Sequence, residues 1–339
     1  MQRKMLTLLA VPLLAIALAA SAVAFVPGIL NAFSAGPSAA PSLASPSWKV
    51  GDTWTYNVSL GSMDAAVLPS EMLVGTPVSN ESLVAGTLTE TVVGSVSTPY
   101  GQAWNTTVDA TLAVGEPQPV VGMQPMVDAL SMRAMSLTGF VWYRASDLAP
   151  VYAVRTMRLG STWTLNSGLW TDYGMLANAT YSLNYTATTA ISFAPPLEVY
   201  AFPLQQNETW NATSNATVRF MSTFDFSGPN MTFETSHAVN FTVPLHLTMR
   251  TGRFENVTTP AGTFSALPVT ASRGEFGIVA DRDASAMLNL TESMDVEMPH
   301  AFASVWFSGQ VGNVVRADVG LGGFEGPRVE LDLVSYSSA

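Results

Sequence analysis

Residues 207–220 read NETWNATSNATVRF, and their side chains alternate between apolar and polar with a period of two. One face carries the apolar and small side chains Trp210, Ala212, Ser214, Ala216, Val218 and Phe220. The other face carries three N-x-[ST] acceptors, at Asn207, Asn211 and Asn215. Strict alternation is typical of a half-buried strand, and N-x-[ST] sites are glycosylated only in exported proteins. This stretch therefore predicts a β-sheet with one solvated face and a location outside the cytoplasm.

The same alternation recurs in residues 53–60, 178–193 and 238–250. In each of these segments the N-x-[ST] asparagine falls on the polar face, as Asn57, Asn184 and Asn240 show. Antiparallel sheets that cover a core on one side and face water on the other produce this pattern. The sequence therefore predicts a mainly β protein.

The composition limits the function classes. The 339 residues carry a net charge of −11, which leaves no basic surface for nucleic acid. Only 12% of the residues are charged, compared with about 25% in ordinary soluble proteins. The chain has no cysteine, which excludes disulfides, thiolate catalysis and Cys-ligated metal. A core of ordinary size must then hold the protein together.

Potential glycosylation sites are unusually frequent, because twelve of the 15 asparagines lie in N-x-[ST]. These are Asn57, Asn80, Asn105, Asn178, Asn184, Asn207, Asn211, Asn215, Asn230, Asn240, Asn256 and Asn289. Chance predicts roughly three among this many asparagines. We interpret the chain as a glycosylated surface protein. Glycosylation without disulfides, together with arginine used in place of lysine, indicates an archaeal source.

The N-terminus predicts export. Residues 1–33 combine the basic head MQRK with a nearly continuous apolar stretch. Two interpretations stay open: a signal peptide cleaved after Ala22-Val23-Ala24, or an uncleaved anchor, since residues 5–25 are long enough to span a bilayer. The basic head places the following body outside the cell. Residues 34–47, SAGPSAAPSLASPS, are expected to form a flexible Pro/Ser/Ala linker.

Three landmarks recur in the same order and indicate an internal duplication. GDTW at 51–54 matches NETW at 207–210, VSTPYG at 96–101 matches VTTPAG at 257–262, and VWY at 141–143 matches VWF at 305–307. Val154-Arg155 matches Val315-Arg316 more loosely. We expect two β-domains, residues 48–194 and 195–339.

Helix is expected to be scarce. The best candidate is 124–137, QPMVDALSMRAMSL, with a proline near its start. A weaker candidate is 283–294. The predicted fold is therefore two tandem copies of a curved antiparallel sheet, each a half-barrel with one or two short helices, preceded by an N-terminal apolar helix.

The segments WKVGDTWTY at 48–56, VTTPAGTF at 257–264, VWF at 305–307 and VGNVVR at 311–316 resemble a pattern in uncharacterised envelope domains. Those domains are of the lipoprotein-localisation-factor-like half-barrel type. The resemblance implies a curved sheet around a helix or two, with an apolar groove on its concave face for an acyl chain or another apolar ligand. The first copy departs from the pattern at Tyr100 and at residues 102–104. No catalytic residue carries over.

Apolar residues that would line such a groove are Trp54, Met126, Met132, Met135, Trp142, Trp210 and Trp306. A cluster of methionines is more typical of adaptable apolar packing than of a copper site.

Catalytic and metal-binding motifs are weak. The spacing of His237, His246 and His300 matches no metal-binding motif. The sequence also has no G-x-S-x-G nucleophile motif and no glycine-rich phosphate loop before a predicted helix. Asp281 and Asp283 resemble a fragment of a Ca²⁺ loop but lack its glycine and distal glutamate. We expect no cofactor and no bound metal.

These observations predict an exported, N-glycosylated cell-surface protein with a non-enzymatic binding or structural role. Its partners would be other cell-envelope components, and the membrane itself if the N-terminal segment is not cleaved. A carrier of lipid or apolar ligands is one alternative. An envelope hydrolase is another.

Overall fold

The computed structural model describes residues 42–60, 84–114, 127–165, 179–229, 231–280, 294–298, 303–320 and 328–339. The first half of the described chain forms β1 (Thr53–Leu60), β2 (Val84–Thr98), β3 (Gly101–Val114), β4 (Val127–Arg144), β5 (Pro150–Leu165) and β6 (Thr180–Ala194). The second half forms β7 (Thr209–Gly228), β8 (Met231–Thr251), β9 (Glu255–Thr259), β10 (Gly262–Ala280), β11 (Met294–Met298), β12 (Ala303–Ser308), β13 (Asn313–Gly320) and β14 (Arg328–Ser337).

The strands close into one antiparallel barrel. Neighbours pair in chain order from β1 to β8, then through β10, β12, β13 and β14 back to β1. The ring therefore has 12 strands, and the short strands β9 and β11 each pair with β10. Closure pairs the backbone N–H and C=O groups that a sheet edge would otherwise expose.

The prediction of two separate half-barrels with helices is wrong. Each predicted copy instead supplies six strands to the same ring, β1–β6 from the first and β7, β8, β10, β12, β13 and β14 from the second. Two half-barrels would have left four strand edges unpaired. Pairing β6 with β7, and β14 with β1, removes those edges.

The helix predicted over 124–137 is also wrong, because Val127–Arg144 forms β4 between β3 and β5. The described residues contain no helix. No membrane-spanning helix is therefore found among them. The predicted helix at 283–294, apart from its last residue, lies outside the described residues, as does the N-terminal apolar segment. Met294 begins β11.

Side chains alternate between the barrel interior and its outer wall. In β7, buried residues alternate with exposed ones from Ala212 to Phe226, which confirms the strand predicted from residues 207–220. The predicted strands at 53–60, 178–193 and 238–250 correspond to β1, β6 and β8. The largest fully buried apolar side chains include Phe220, Phe226 and Phe307.

One end of the barrel is closed by the segments before β1 and before β7. Trp48 is 3% exposed and packs against Trp54 and Tyr143, with ring centroids 5.0 and 5.6 Å apart. Its indole N–H donates to the Gly312 carbonyl at 3.1 Å. Leu43, in the predicted linker, forms a bridge with Leu204. This end is therefore built by both halves of the chain.

The matched landmarks have the same local geometry. Gly51 and Asn207 both have positive φ, 102° and 61°. The next residue in each landmark is acidic, Asp52 in the first and Glu208 in the second. Its carboxylate accepts a hydrogen bond from the backbone N–H three residues earlier, from Lys49 at 2.8 Å and from Gln205 at 3.0 Å.

The aromatic landmarks correspond too, because Trp54 and Trp210 lie on the inner face while Trp142 and Trp306 lie on the outer face. The loose match of Arg155 with Arg316 does not hold. Arg155 is buried in the interior, whereas Arg316 pairs with Asp332 on the outer wall at 2.7 Å.

Candidate functional site

The outer wall carries the described N-x-[ST] asparagines. Seven of these eight are exposed: Asn57, Asn184, Asn207, Asn211, Asn215, Asn240 and Asn256. Asn105 is half-buried, and its side-chain oxygen is buried without a hydrogen-bond partner. Asn80, Asn178, Asn230 and Asn289 lie outside the described residues.

Five of the exposed asparagines are grouped on β6, β7 and β8 and the turn before β7. Asn211 and Asn215 lie on β7, Asn240 pairs with Arg219 of β7, and Asn184 pairs with Asp225 of β7. A strand rises about 3.3 Å per residue, so the four asparagines on the strands cover about 45 Å along β7, from Asn211 to the level of Asp225, with about 13 Å between Asn211 and Asn215. We call this surface the asparagine wall.

A second concentration of polar groups lies inside the barrel. Glu90 and Arg155 are 0% and 2% exposed, and Thr106, Tyr56, Tyr143, Tyr200 and Asn313 are buried with them. We call these seven residues the interior polar cluster.

Strand register explains why Glu90 and Arg155 belong to the interior. Glu90 pairs with Val108, Val108 with Gly139, and Gly139 with Arg155, so one row of inner-face positions joins the two charges. Gly139 contributes no side chain to this row. A Cβ at Gly139 would lie 2.0 Å from the Val154 carbonyl oxygen, so the close approach of β4 and β5 requires glycine.

The environment of Glu90 disfavours its charge. Burial raises the pKa of its carboxyl from 4.5 to about 7, and the nearby Arg155 guanidinium draws it partly back. Thr106, Tyr143 and Asn313 also lower this pKa. These three polar groups therefore lie close to the carboxylate, but none of them reaches either oxygen with the distance and angle of a well-formed hydrogen bond. Burial likewise raises the pKa values of the Tyr56, Tyr143 and Tyr200 phenols.

Some members of the interior polar cluster are satisfied by the backbone. The Tyr56 hydroxyl donates to the Val314 carbonyl at 3.2 Å, and the Thr106 hydroxyl donates to the Val141 carbonyl at 3.3 Å. Five other atoms are buried without a partner: both Glu90 carboxylate oxygens, the Tyr143 and Tyr200 hydroxyls and the Asn313 side-chain nitrogen.

The predicted groove residues do not share one surface. Trp54 and Met135 are buried in the interior, and Trp210 lies at its rim with its indole N–H donating to the Glu198 carbonyl at 3.2 Å. Trp142 and Trp306 lie outside, where Trp142 packs with Phe140 and Tyr152, and Trp306 donates to Glu255. Met132 lies in β4, but neither its side chain nor Met126 is among the described groups.

The remaining candidates are dispersed. His237 and His246 are exposed on β8, while His300, Asp281 and Asp283 lie outside the described residues. In the part of the chain that the structure describes, no group of three or more His, Asp or Glu side chains is placed to hold a metal ion. A recess of about 460 Å³ on β14, β1 and β2 has a lining of polar and apolar residues that includes Asn57, Val58, Glu330 and Asp332.

The sequence carries a signal for two residues of the interior polar cluster that the motif search does not detect. Glu90 lies on the same face of its strand as Leu88 and Val92, and Arg155 lies on the same face as Ala153 and Met157. A charge on the apolar face of a strand is informative because such groups are almost never fully buried without a partner.

Comparison with known proteins places the chain in no family: no family model, curated protein or solved structure matches it.

Proposed function

We propose that the chain is an exported, N-glycosylated cell-surface protein with a binding or structural role. The observation that carries this proposal is the asparagine wall, where five exposed N-x-[ST] asparagines occupy one continuous surface of β6–β8 and its preceding turn. A solvated strand face requires polar residues, but it does not require N-x-[ST] in particular.

The geometry of the wall suits attached glycans. Asn211 and Asn215 point away from the core on the same face of β7, because the residues between them alternate inward and outward. A spacing of about 13 Å leaves room for a sugar chain on each. With few charged residues in the chain, such glycans would supply the solvation that charge provides elsewhere.

The binding or structural role would then use surfaces away from the wall. Glycans on β6–β8 shield that side, which leaves the opposite strands and the two ends of the barrel for contact with cell-envelope components. The concave groove of a half-barrel is not proposed again, because the sheet closes and its inner face is packed with side chains.

Glycopeptide mass spectrometry of protein purified from its own host tests the proposal. We expect glycans on Asn184, Asn211, Asn215 and Asn240, and lower occupancy at Asn105, whose side-chain oxygen is buried. Unmodified peptides at all four of these positions would contradict it.

A labelling experiment on intact cells tests export separately. Lys4 and Lys49 are the chain's only lysines, and Lys49 is exposed. A membrane-impermeant amine reagent should therefore label Lys49 in intact cells, and a Lys49→Arg variant is the matched control. Labelling of Lys49 only after cell lysis would contradict export.

A further inference from the structure

The interior polar cluster contains more hydrogen-bonding groups than its side chains satisfy. The five unpartnered atoms lie on Glu90, Tyr143, Tyr200 and Asn313, and each of these residues is at most 2% exposed. Buried polar groups in folded proteins are nearly always hydrogen-bonded to protein or to ordered water. A set of five unpartnered atoms in one place therefore points to a ligand between them.

The electrostatics indicate what the ligand is. Glu90 and Arg155 bring one negative and one positive group, so a cation at the carboxylate would also meet the guanidinium. An anion would meet Glu90 in the same way. The unpartnered set combines acceptors on Glu90, a donor on Asn313 and hydroxyls that serve as either. A small neutral molecule that both donates and accepts fits this set.

A barrel with this many strands is wide enough to hold a small ligand among its interior side chains. Side chains just fill the interior of an eight-stranded barrel, and wider barrels enclose more space. This ring has 12 strands, and the inner-face row beside Glu90 passes through Val108 and Gly139 before it reaches Arg155. Val108 and Gly139 add little side-chain volume between Glu90 and Arg155.

We propose that the interior polar cluster is a closed hydration site, in which ordered water bridges the Glu90 carboxylate to Tyr143, Tyr200 and Asn313. A buried water makes about three hydrogen bonds, so the five atoms correspond to about two waters. The site joins both halves of the chain, because Glu90 and Tyr143 lie in β2 and β4 while Asn313 begins β13.

A high-resolution crystal structure of the full-length protein tests the site directly. We expect solvent peaks within hydrogen-bond distance of Glu90 and of at least one of Tyr143, Tyr200 and Asn313. Direct hydrogen bonds from these side chains to Glu90, with no solvent between them, would overturn the proposal. So would an anomalous peak at Glu90 in crystals soaked in rubidium chloride, since it would identify a cation.

Stability measurements test the same site in solution. Tyr143→Phe and Tyr200→Phe should each lower the folding equilibrium constant about two- to tenfold, because each removes a water-bonded hydroxyl. Tyr336→Phe is the matched control, because Tyr336 is 43% exposed and lies outside the cluster. A Tyr143→Phe or Tyr200→Phe variant at least as stable as wild type would overturn the inference for that hydroxyl.

Discussion

Replacement of Glu90 by Gln should change how the stability of the barrel depends on pH. Glu90 is fully buried, and burial raises its pKa from 4.5 to about 7. Between these two values the unfolded chain releases the proton while the folded protein keeps it. The stability that this carboxyl contributes is therefore fully present below about pH 4.5 and is lost as the pH rises to about 7.

The magnitude follows from the pKa difference. Each pKa unit corresponds to about 1.4 kcal/mol, so the wild-type protein should lose about 3 kcal/mol from this group between about pH 4 and pH 8. Glutamine has nearly the same shape and no charge, so the Glu90→Gln variant should lack this loss. Its free energy of unfolding relative to wild type should rise by about 3 kcal/mol over the same range.

Urea denaturation of both proteins at about pH 4 and pH 8 measures this difference, because the other carboxyls titrate equally in each and cancel. Glu234→Gln is the matched control, since Glu234 is exposed on the outer face of β8. The same stability difference between Glu90→Gln and wild type at both pH values would contradict a raised pKa for Glu90. It would mean that Arg155 fully compensates the buried carboxylate.

Three further changes test the packing. Gly139→Ala should destabilise the barrel by about 1–3 kcal/mol in urea denaturation, because the added Cβ meets the Val154 carbonyl oxygen, whereas Gly94→Ala has nothing within 4 Å and is the control. Equal midpoints for the two variants would contradict the close approach of β4 and β5. Trp48→Ala should lower the free energy of unfolding by about 3–5 kcal/mol. Trp142→Ala is the control, because Trp142 is half-buried on the outer face, and an equal or larger loss for this control would show that Trp48 does not close the barrel end. Asp52→Ala should lower the free energy of unfolding by about 1–3 kcal/mol, since the Asp52 carboxylate accepts hydrogen bonds from the Lys49 and Ala339 N–H groups at 2.8 and 2.9 Å. Glu208→Ala should lower it less, because the Glu208 carboxylate accepts a backbone hydrogen bond from the Gln205 N–H alone. A larger loss for Glu208→Ala in the same assay would contradict this ranking.

Local alternation was sufficient to predict several strands. Residues 53–60 and 207–220 each show a period of two; the first segment forms β1, the second lies in β7 from Thr209 onward, and the inner face of each strand is the predicted one. The parity also placed Asn211 and Asn215 on the outer face. These features depend on neighbours in sequence, which is why the pattern predicts them.

The sequence of residues 124–137 favours a helix because Met, Leu and Ala have high intrinsic helix propensity. Pairing with β3 and β5 overrides this preference in β4.

Barrel closure and the interior polar cluster depend on residues that are distant in sequence. The contact of β1 with β14 joins segments more than 260 residues apart, and no local pattern specifies that pairing. The same holds for Asn313 and Glu90, which meet only after closure. The inward position of Glu90 could be predicted because it lies on the same strand face as Leu88. Its neighbours in the interior, such as Arg155 and Asn313, could not be predicted from the sequence.

A disulfide across the seam between β1 and β14 tests barrel closure, because the assignment of inner and outer faces depends on the pairing of these two strands. Ser59 pairs with Glu330 across this seam, and the wild-type chain has no cysteine to interfere. Directly opposed residues in antiparallel strands have Cα atoms about 4.5–5.5 Å apart, which a disulfide spans. The Ser59→Cys/Glu330→Cys variant should therefore oxidise to an intramolecular disulfide, and the Ser59→Cys/Ser192→Cys control should not. Failure of the seam pair to cross-link in folded protein, or equal cross-linking of the control, would contradict the closed barrel.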